Sequence, residues 1–312
     1  MGCAFKGRPQ DQRHDDFHGE AMTPHEALVL DRFLLNTTLS VVWGGSGFLA
    51  IASGLARSRL AGALRPLLLA SSAVAAISAM AALPIQTAEI TSGWGCAFNI
   101  DIVATVALKT DVGISTWLQA ATALALLAAV WADRANLMVI VAGLALVETA
   151  LRGHAAASFD PSRYPRMLVM AIHVLSASAW VGSLIPFVMS VRMTRHPALR
   201  RDAVAAMVRF SRYGHAAVAL VLVTGATNVL LIPGRLSWEV SSAYQIELVA
   251  KVAAVAAMTI IAAANRYLIV PLGRNRPTTS ATLLVVGAFL EISLGLFAFA
   301  LVASFGLENP TA

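Results

Sequence analysis

Residues 281–305 read ATLLVVGAFLEISLGLFAFALVASF, and this stretch decides the fold. It contains one ionisable group, Glu291. A strand of a membrane barrel alternates apolar and polar residues. This run is continuously apolar and long, so it is a helix. About 20 residues at the helical rise cross the hydrocarbon core of a bilayer. A helix also satisfies its own backbone hydrogen bonds there, which an isolated strand does not.

Runs of the same kind occupy 33–55, 66–83, 114–132, 135–151, 167–191, 214–233 and 246–270. The expected fold is therefore all-α, a polytopic transmembrane helix bundle of about eight spans. Composition agrees, with 58% hydrophobic residues, 13% charged residues and a mean hydropathy of +0.72. A soluble domain carries roughly 25% charged residues. Half that supply cannot cover a soluble surface, which excludes a soluble enzyme domain. Residues 1–31 form a polar tail without the apolar core of a signal peptide, and 32–312 form a single transmembrane domain. Met22, just before Thr-Pro-His-Glu, is an alternative start. The second and fourth runs are short. Residues 85–113 hold Glu89, Asp101, Lys109 and Asp111 and are expected to be an external loop with a short helix.

Charge sets the expected orientation. The formal charge is +6, from 23 Lys+Arg against 17 Asp+Glu. Of the 23 basic residues, 13 fall in the loops after the odd-numbered spans or, for Arg266, in the last turns of the seventh span, and 5 in the loops after the even-numbered ones. Six arginines crowd 192–213 alone. Basic loops stay cytoplasmic, so both termini are expected on the periplasmic side. The same rule accounts for the basic excess without nucleic acid. The two cysteines, Cys3 and Cys96, form no CxxC motif, which excludes a zinc ribbon or a thioredoxin-like site. They could pair only where both face an oxidising compartment.

Ionisable groups inside a span are costly and normally face a partner or a cavity. The span 167–191 carries Met170 and His173 three residues apart, hence on one helix face, with Trp180 two turns further along it. His173 lies seven residues past Arg166, about 10 Å deep. His154 ends the preceding span on the same side. Two imidazoles and a thioether make a soft ligand set that suits Cu(I). The plainer reading makes Met170 core packing and each histidine a hydrogen-bonded neighbour of another helix. Lys251 and Glu291 are opposite charges on adjacent spans, expected to pair with each other or to line a cation path with Glu148. Glu148 and Arg152, four apart on one helix, are also placed to pair. Gly182 permits close helix packing, and Pro186 is placed to kink its helix.

The run from His173 through Trp180-Val-Gly182 to Pro186 resembles the histidine-to-WVG signature of the CopD/PcoD family of bacterial copper-resistance membrane proteins. Further matches follow in order: Gly153-His154-Ala-Ala, Arg209-Phe210-Ser211, Thr224-Gly225, Lys251, Asn265-Arg266 and Glu291. The resemblance covers about 150–305; before that only the helix pattern agrees. Ser242-Ala-Tyr244-Gln245 departs from the family's Thr-x-Tyr-Gly, and Glu247 is unexpected there. The resemblance implies a multi-pass protein of the bacterial inner membrane that handles copper with a periplasmic copper-binding partner, import being favoured, and that is not an enzyme. His154, His173 and Met170 are then the expected metal ligands, Lys251, Glu291 and Glu148 the expected pathway. Trp180, Gly182, Asn265 and Arg266 form the structural motif. Two rivals from other classes are a b-type haem electron carrier using the two histidines axially and a non-transporting membrane anchor or sensor subunit.

Overall fold

The computed structural model describes residues 22–91, 93–151, 163–230 and 243–305. Among them there are only helices, turns and short connections. In chain order the helices are α1 (Pro24–Ile51), α2 (Gly54–Ile90), α3 (Ile100–Lys109), α4 (Asp111–Trp131), α5 (Ala135–Leu151), α6 (Arg163–Met193) and α7 (Pro197–Leu230). They continue with α8 (Ala243–Ala264), a π turn (Asn265–Ile269), the single turn α9 (Val270–Leu272) and α10 (Pro277–Phe305). Among the described residues, seven helices are long and apolar enough to cross a membrane, and Ala135–Ala150 adds a shorter apolar one. The expected all-α polytopic helix bundle is what the described residues form, with seven such candidates where the sequence pattern gives about eight. At 17 residues α5 sits at the lower limit for a span.

Several boundaries differ from the sequence reading. The first span begins at Pro24 rather than 33, because Thr23 and Glu26 form a capping box. Thr23 Oγ1 accepts from the Glu26 N–H at 3.2 Å, and Glu26 Oε2 accepts from the Thr23 N–H at 2.8 Å. The second span is not 66–83 but the 37-residue α2, which carries Pro66 and Pro84 inside it. Most of the expected external loop 85–113 is helical: the end of α2, a 3-10 turn at Trp94–Cys96, α3 and the start of α4. The arginine-rich stretch 192–213 is mostly the first turns of α7.

The helices alternate in direction. At one end of the bundle, called the near end here, α1 and α6 begin and α10 finishes; the far end carries the α1–α2 and α6–α7 corners. At the far corner the chain turns at Gly54, whose φ of +63° favours glycine. Asp202 of α7 fills the space a side chain would need and accepts the Leu55 N–H at 2.8 Å. Arg209 donates to the Ile51 carbonyl at 2.8 Å and to Ser53 Oγ at 2.9 Å. Side chains of α7 therefore satisfy backbone groups left open where α1 ends and α2 begins.

The main core gathers Leu35, Leu39, Val42 and Phe48 of α1 with Leu60, Leu64 and Leu68 of α2 and Leu146 of α5. Phe210 closes its far end against Phe48 and Phe187, with ring centroids 5.6 and 5.1 Å apart. A second cluster of Trp180, Leu184, Val221 and Met258 joins α6, α7 and α8. Between the two clusters stands α6, packed against α1 and α5 on one side and α7 and α10 on the other.

Candidate functional site

The two faces of α6 do different work. The face toward α1 is built for contact. Trp43 Nε1 donates to the Leu175 carbonyl at 3.0 Å, and Ser40 and Ser178 share a hydrogen bond of 2.9 Å. Gly182 belongs to this face and lies against the Ser40 carbonyl and Gly44.

The opposite face carries Met170, His173 and Trp180. His173 Nδ1 lies 3.0 Å from Thr224 Oγ1 of α7. The Thr224 hydroxyl proton is committed to the Leu220 carbonyl one turn back on its own helix. Its oxygen therefore accepts, and His173 Nδ1 donates. A neutral imidazole protonated on Nδ1 keeps its lone pair on Nε2, the nitrogen suited to a metal. Gly225 lets the ring lie close to α7, since a Cβ there would stand 3.4 Å from His173 Cε1. One turn nearer the membrane surface, Met170 Sδ accepts the Asn228 amide at 4.0 Å. Thr224 and Asn228 are four apart and share a face of α7, as Met170 and His173 share one of α6. The sequence reading did not single out Asn228, nor the orienting role of Thr224. Their i, i+4 spacing in an apolar helix was the available signal.

Nε2 and a thioether are two soft donors, a fit for Cu(I). His154 lies outside the described residues, so the His154–His173–Met170 grouping is placed only in its last two members. No group of three or more His, Cys, Asp or Glu side chains with metal-binding geometry occurs among the described residues.

Two turns beyond His173, the Trp180 indole donates to Glu291 Oε2 of α10 at 3.0 Å. Asn265 Nδ2 donates to Glu291 Oε1 at 2.9 Å. Glu291 is 3% exposed and Asn265 8%. The structure thus gives Glu291 to Trp180 and Asn265, where the sequence pattern suggested Lys251. Charge complementarity says nothing about how a helix is rotated, and rotation decides the partner here. Asn265 opens the π turn, in which the Val270 N–H reaches the Asn265 carbonyl five residues back. Such turns arise where an extra residue is accommodated in a helix, and Pro271 follows directly. The Asn265 amide packs on Gly287, one turn before Glu291, where any Cβ would collide with it. Asn265 Oδ1 is buried without a partner among the described residues.

The remaining expected residues stand apart from this face. Arg266 is exposed and lies beside Tyr267, Val270 and Arg274 on the outside of the bundle. Glu148 of α5 is buried and accepts from Thr122 of α4 at 2.9 Å. Its expected partner Arg152 falls outside the described residues. Glu247 of α8 accepts from Ser304 at 3.1 Å near the ends of α8 and α10.

Residues 22–162 match the family description "Copper resistance protein D-like, N-terminal domain", and residues 204–305 match "Copper resistance protein D". The segment carrying Met170, His173 and Trp180 lies between the two. The inner membrane protein YebZ of Escherichia coli is 30% identical over 283 residues, 89% of this chain and 97% of that protein. Copper resistance protein D of Pseudomonas syringae pv. tomato is 24% identical, covering 89% of this chain and 95% of the relative. The copper transport protein CutJ of Bacillus subtilis is 28% identical over 65% of this chain and 39% of its own length. No solved structure matches.

Proposed function

The chain belongs to the copper resistance protein D family, and from that premise we propose that it takes up copper at its near end and passes it across the inner membrane. The near end is read as periplasmic, from the bias of basic residues toward the far-end loops. A periplasmic copper-binding protein delivers Cu(I) by ligand exchange to His173 Nε2, with Met170 as the thioether donor and His154 as the second imidazole. Import is the favoured direction.

The observation that supports this most is the alignment of Met170, His173 and the Trp180–Glu291–Asn265 group on one side of α6. It makes a polar seam from the near end to the middle of the bundle, in helices otherwise closed by apolar packing. Each polar group in such a place is expensive, and a passage for a soft cation gives them a common purpose. No covalent chemistry is needed; the protein binds, orients and releases.

Copper uptake into proteoliposomes tests it, with wild type compared against His173→Ala. Wild type should load copper and His173→Ala should lose most of that uptake. Equal uptake by the two proteins removes His173 from the path. No uptake by the wild type rejects transport.

A further inference from the structure

Glu291 is the central residue of the 29-residue α10. It therefore lies near the middle of the membrane. Both of its hydrogen bonds come from neutral donors, Trp180 Nε1 and Asn265 Nδ2. The elements packed against α10 are α1, α6, α8, α9 and the π turn. Toward the interior, α6 contributes His173, α8 Glu247 and Lys251, and α1 Asp31 and Arg32; Arg266 of the π turn is exposed. Their other ionisable groups stand near the helix ends. Among the described residues, the groups that hydrogen-bond Glu291 are the neutral Trp180 and Asn265. A carboxylate held at this depth by neutral donors is costly.

Asn265 supplies the second observation. Its Oδ1 is a buried acceptor with no donor among the described residues, beside the carboxyl group. A buried polar atom of this kind calls for an explanation. Rotating the amide half a turn exchanges Oδ1 and Nδ2 with little change of shape. In one orientation Nδ2 donates to an ionised Glu291. In the other, Oδ1 accepts from a protonated Glu291 Oε1–H. The same pocket is thus built to hold the carboxyl group with its proton or without it.

We propose that Glu291 is a proton-binding site whose proton leaves when Cu(I) enters beside His173. This rests on the copper reading above. The charges balance: the seam gains one positive charge as Cu(I) and loses one as H⁺, and no electron is transferred. Trp180 connects the two positions, because it lies two turns, about 10 Å, from His173 on the same helix face. Glu291 lies one hydrogen bond beyond Trp180; for charges separated by on the order of 10 Å or slightly more, with the effective dielectric of a protein interior, a unit charge changes proton affinity on the order of tenfold. The step makes copper movement dependent on pH and gives it a route to the proton gradient.

Infrared difference spectra of the full chain in lipid, recorded on adding Cu(I) at fixed pH, read the carboxyl group directly. Wild type should lose a protonated-carboxyl C=O band on addition of Cu(I), and Glu291→Gln should show no such change. The pH at which the band disappears should fall by about one unit in the copper-loaded protein, corresponding to that tenfold change. If Glu291→Gln does not accumulate, Glu291→Asp serves, and its band must move in frequency. A band indifferent to copper, or one retained unaltered in these variants, overturns the proposal. Copper content of vesicles is measured in parallel. Uptake without the infrared change overturns the proton link and leaves the copper reading standing. The infrared change without uptake rejects transport and leaves the proton site standing.

Discussion

Gly182 of α6 lies on the Ser40 carbonyl of α1, with the Gly44 Cα 3.2 Å from where a Gly182 Cβ would stand. The contact is backbone on backbone, so neither side has a flexible group to move. It fixes the depth and rotation of α6, and with them the placement of His173 and Trp180 on the opposite face. Gly182→Ala should destabilise the protein by about 1–3 kcal/mol through overpacking. Gly47→Ala on α1, where the space beside the glycine is open, should have little effect. Thermal unfolding in detergent, followed for both variants, checks the difference. Equal melting temperatures would mean that α1 and α6 are not held this closely.

Thr224 carries no ligand chemistry of its own, yet its oxygen, placed to accept from His173 Nδ1, favours the tautomer with the lone pair on Nε2. Groups that orient a metal-binding imidazole typically change metal affinity by about 10–100-fold when removed. Thr224→Val should weaken Cu(I) binding within that range, while Thr224→Ser, which keeps the hydroxyl, should restore it. Met170→Leu should weaken binding more mildly than His173→Ala. His215, nine residues from Thr224 toward the far end of α7 and against Tyr267 at 3.3 Å, serves as the control, and His215→Ala should leave affinity unchanged. Competition titration with a Cu(I) chelator measures all of these. Identical affinities for the valine and serine variants would remove Thr224 from the site.

The partners of Glu291 make a direct energetic prediction. Interacting residues show coupling of about 0.5–3 kcal/mol in a double-mutant cycle, while independent ones add within about 0.5 kcal/mol. Trp180→Phe combined with Glu291→Gln should show coupling. Lys251→Met combined with Glu291→Gln should be additive. The stability of each single and double variant, measured by denaturant in micelles, decides it. Strong coupling between Lys251 and Glu291 would restore the ion pair that the sequence suggested.

The spans were legible because long apolar runs have one solution in a bilayer. Their ends were not, for physical reasons that the individual residues show. Arg57, Arg59 and Arg65 lie outside the apolar run 66–83, yet they extend α2 beyond the apolar core, as the arginines of 197–213 extend α7. Proline does not end a membrane helix as it ends a soluble one, since neighbours can satisfy the freed carbonyl; Pro66 and Pro84 both lie inside α2. In the candidate site, His173, Trp180 and Glu291 stood out as polar groups in apolar helices, and the seven-residue spacing put His173 and Trp180 on one face. The Glu291 partner was illegible because a linear sequence does not fix the rotation of α8 and α10. Asn265 takes its position from the π turn, which no periodicity announces.

Orientation remains the test on which the copper path depends. The α6–α7 corner carries Arg192, Arg195, Arg200 and Arg201 and packs beside the α1–α2 corner, where Arg209 holds Ile51 and Ser53. This concentration of basic residues belongs on the cytoplasmic side. A single cysteine placed within 196–206 should therefore react with an impermeant thiol reagent only after the inner membrane is opened. One placed within 157–163 should react in intact spheroplasts. The reverse pattern would turn the bundle over, put His173 in the cytoplasmic half and make delivery from a periplasmic carrier impossible. The proton site at Glu291 would survive that reversal, because the middle of α10 stays at the middle of the membrane either way.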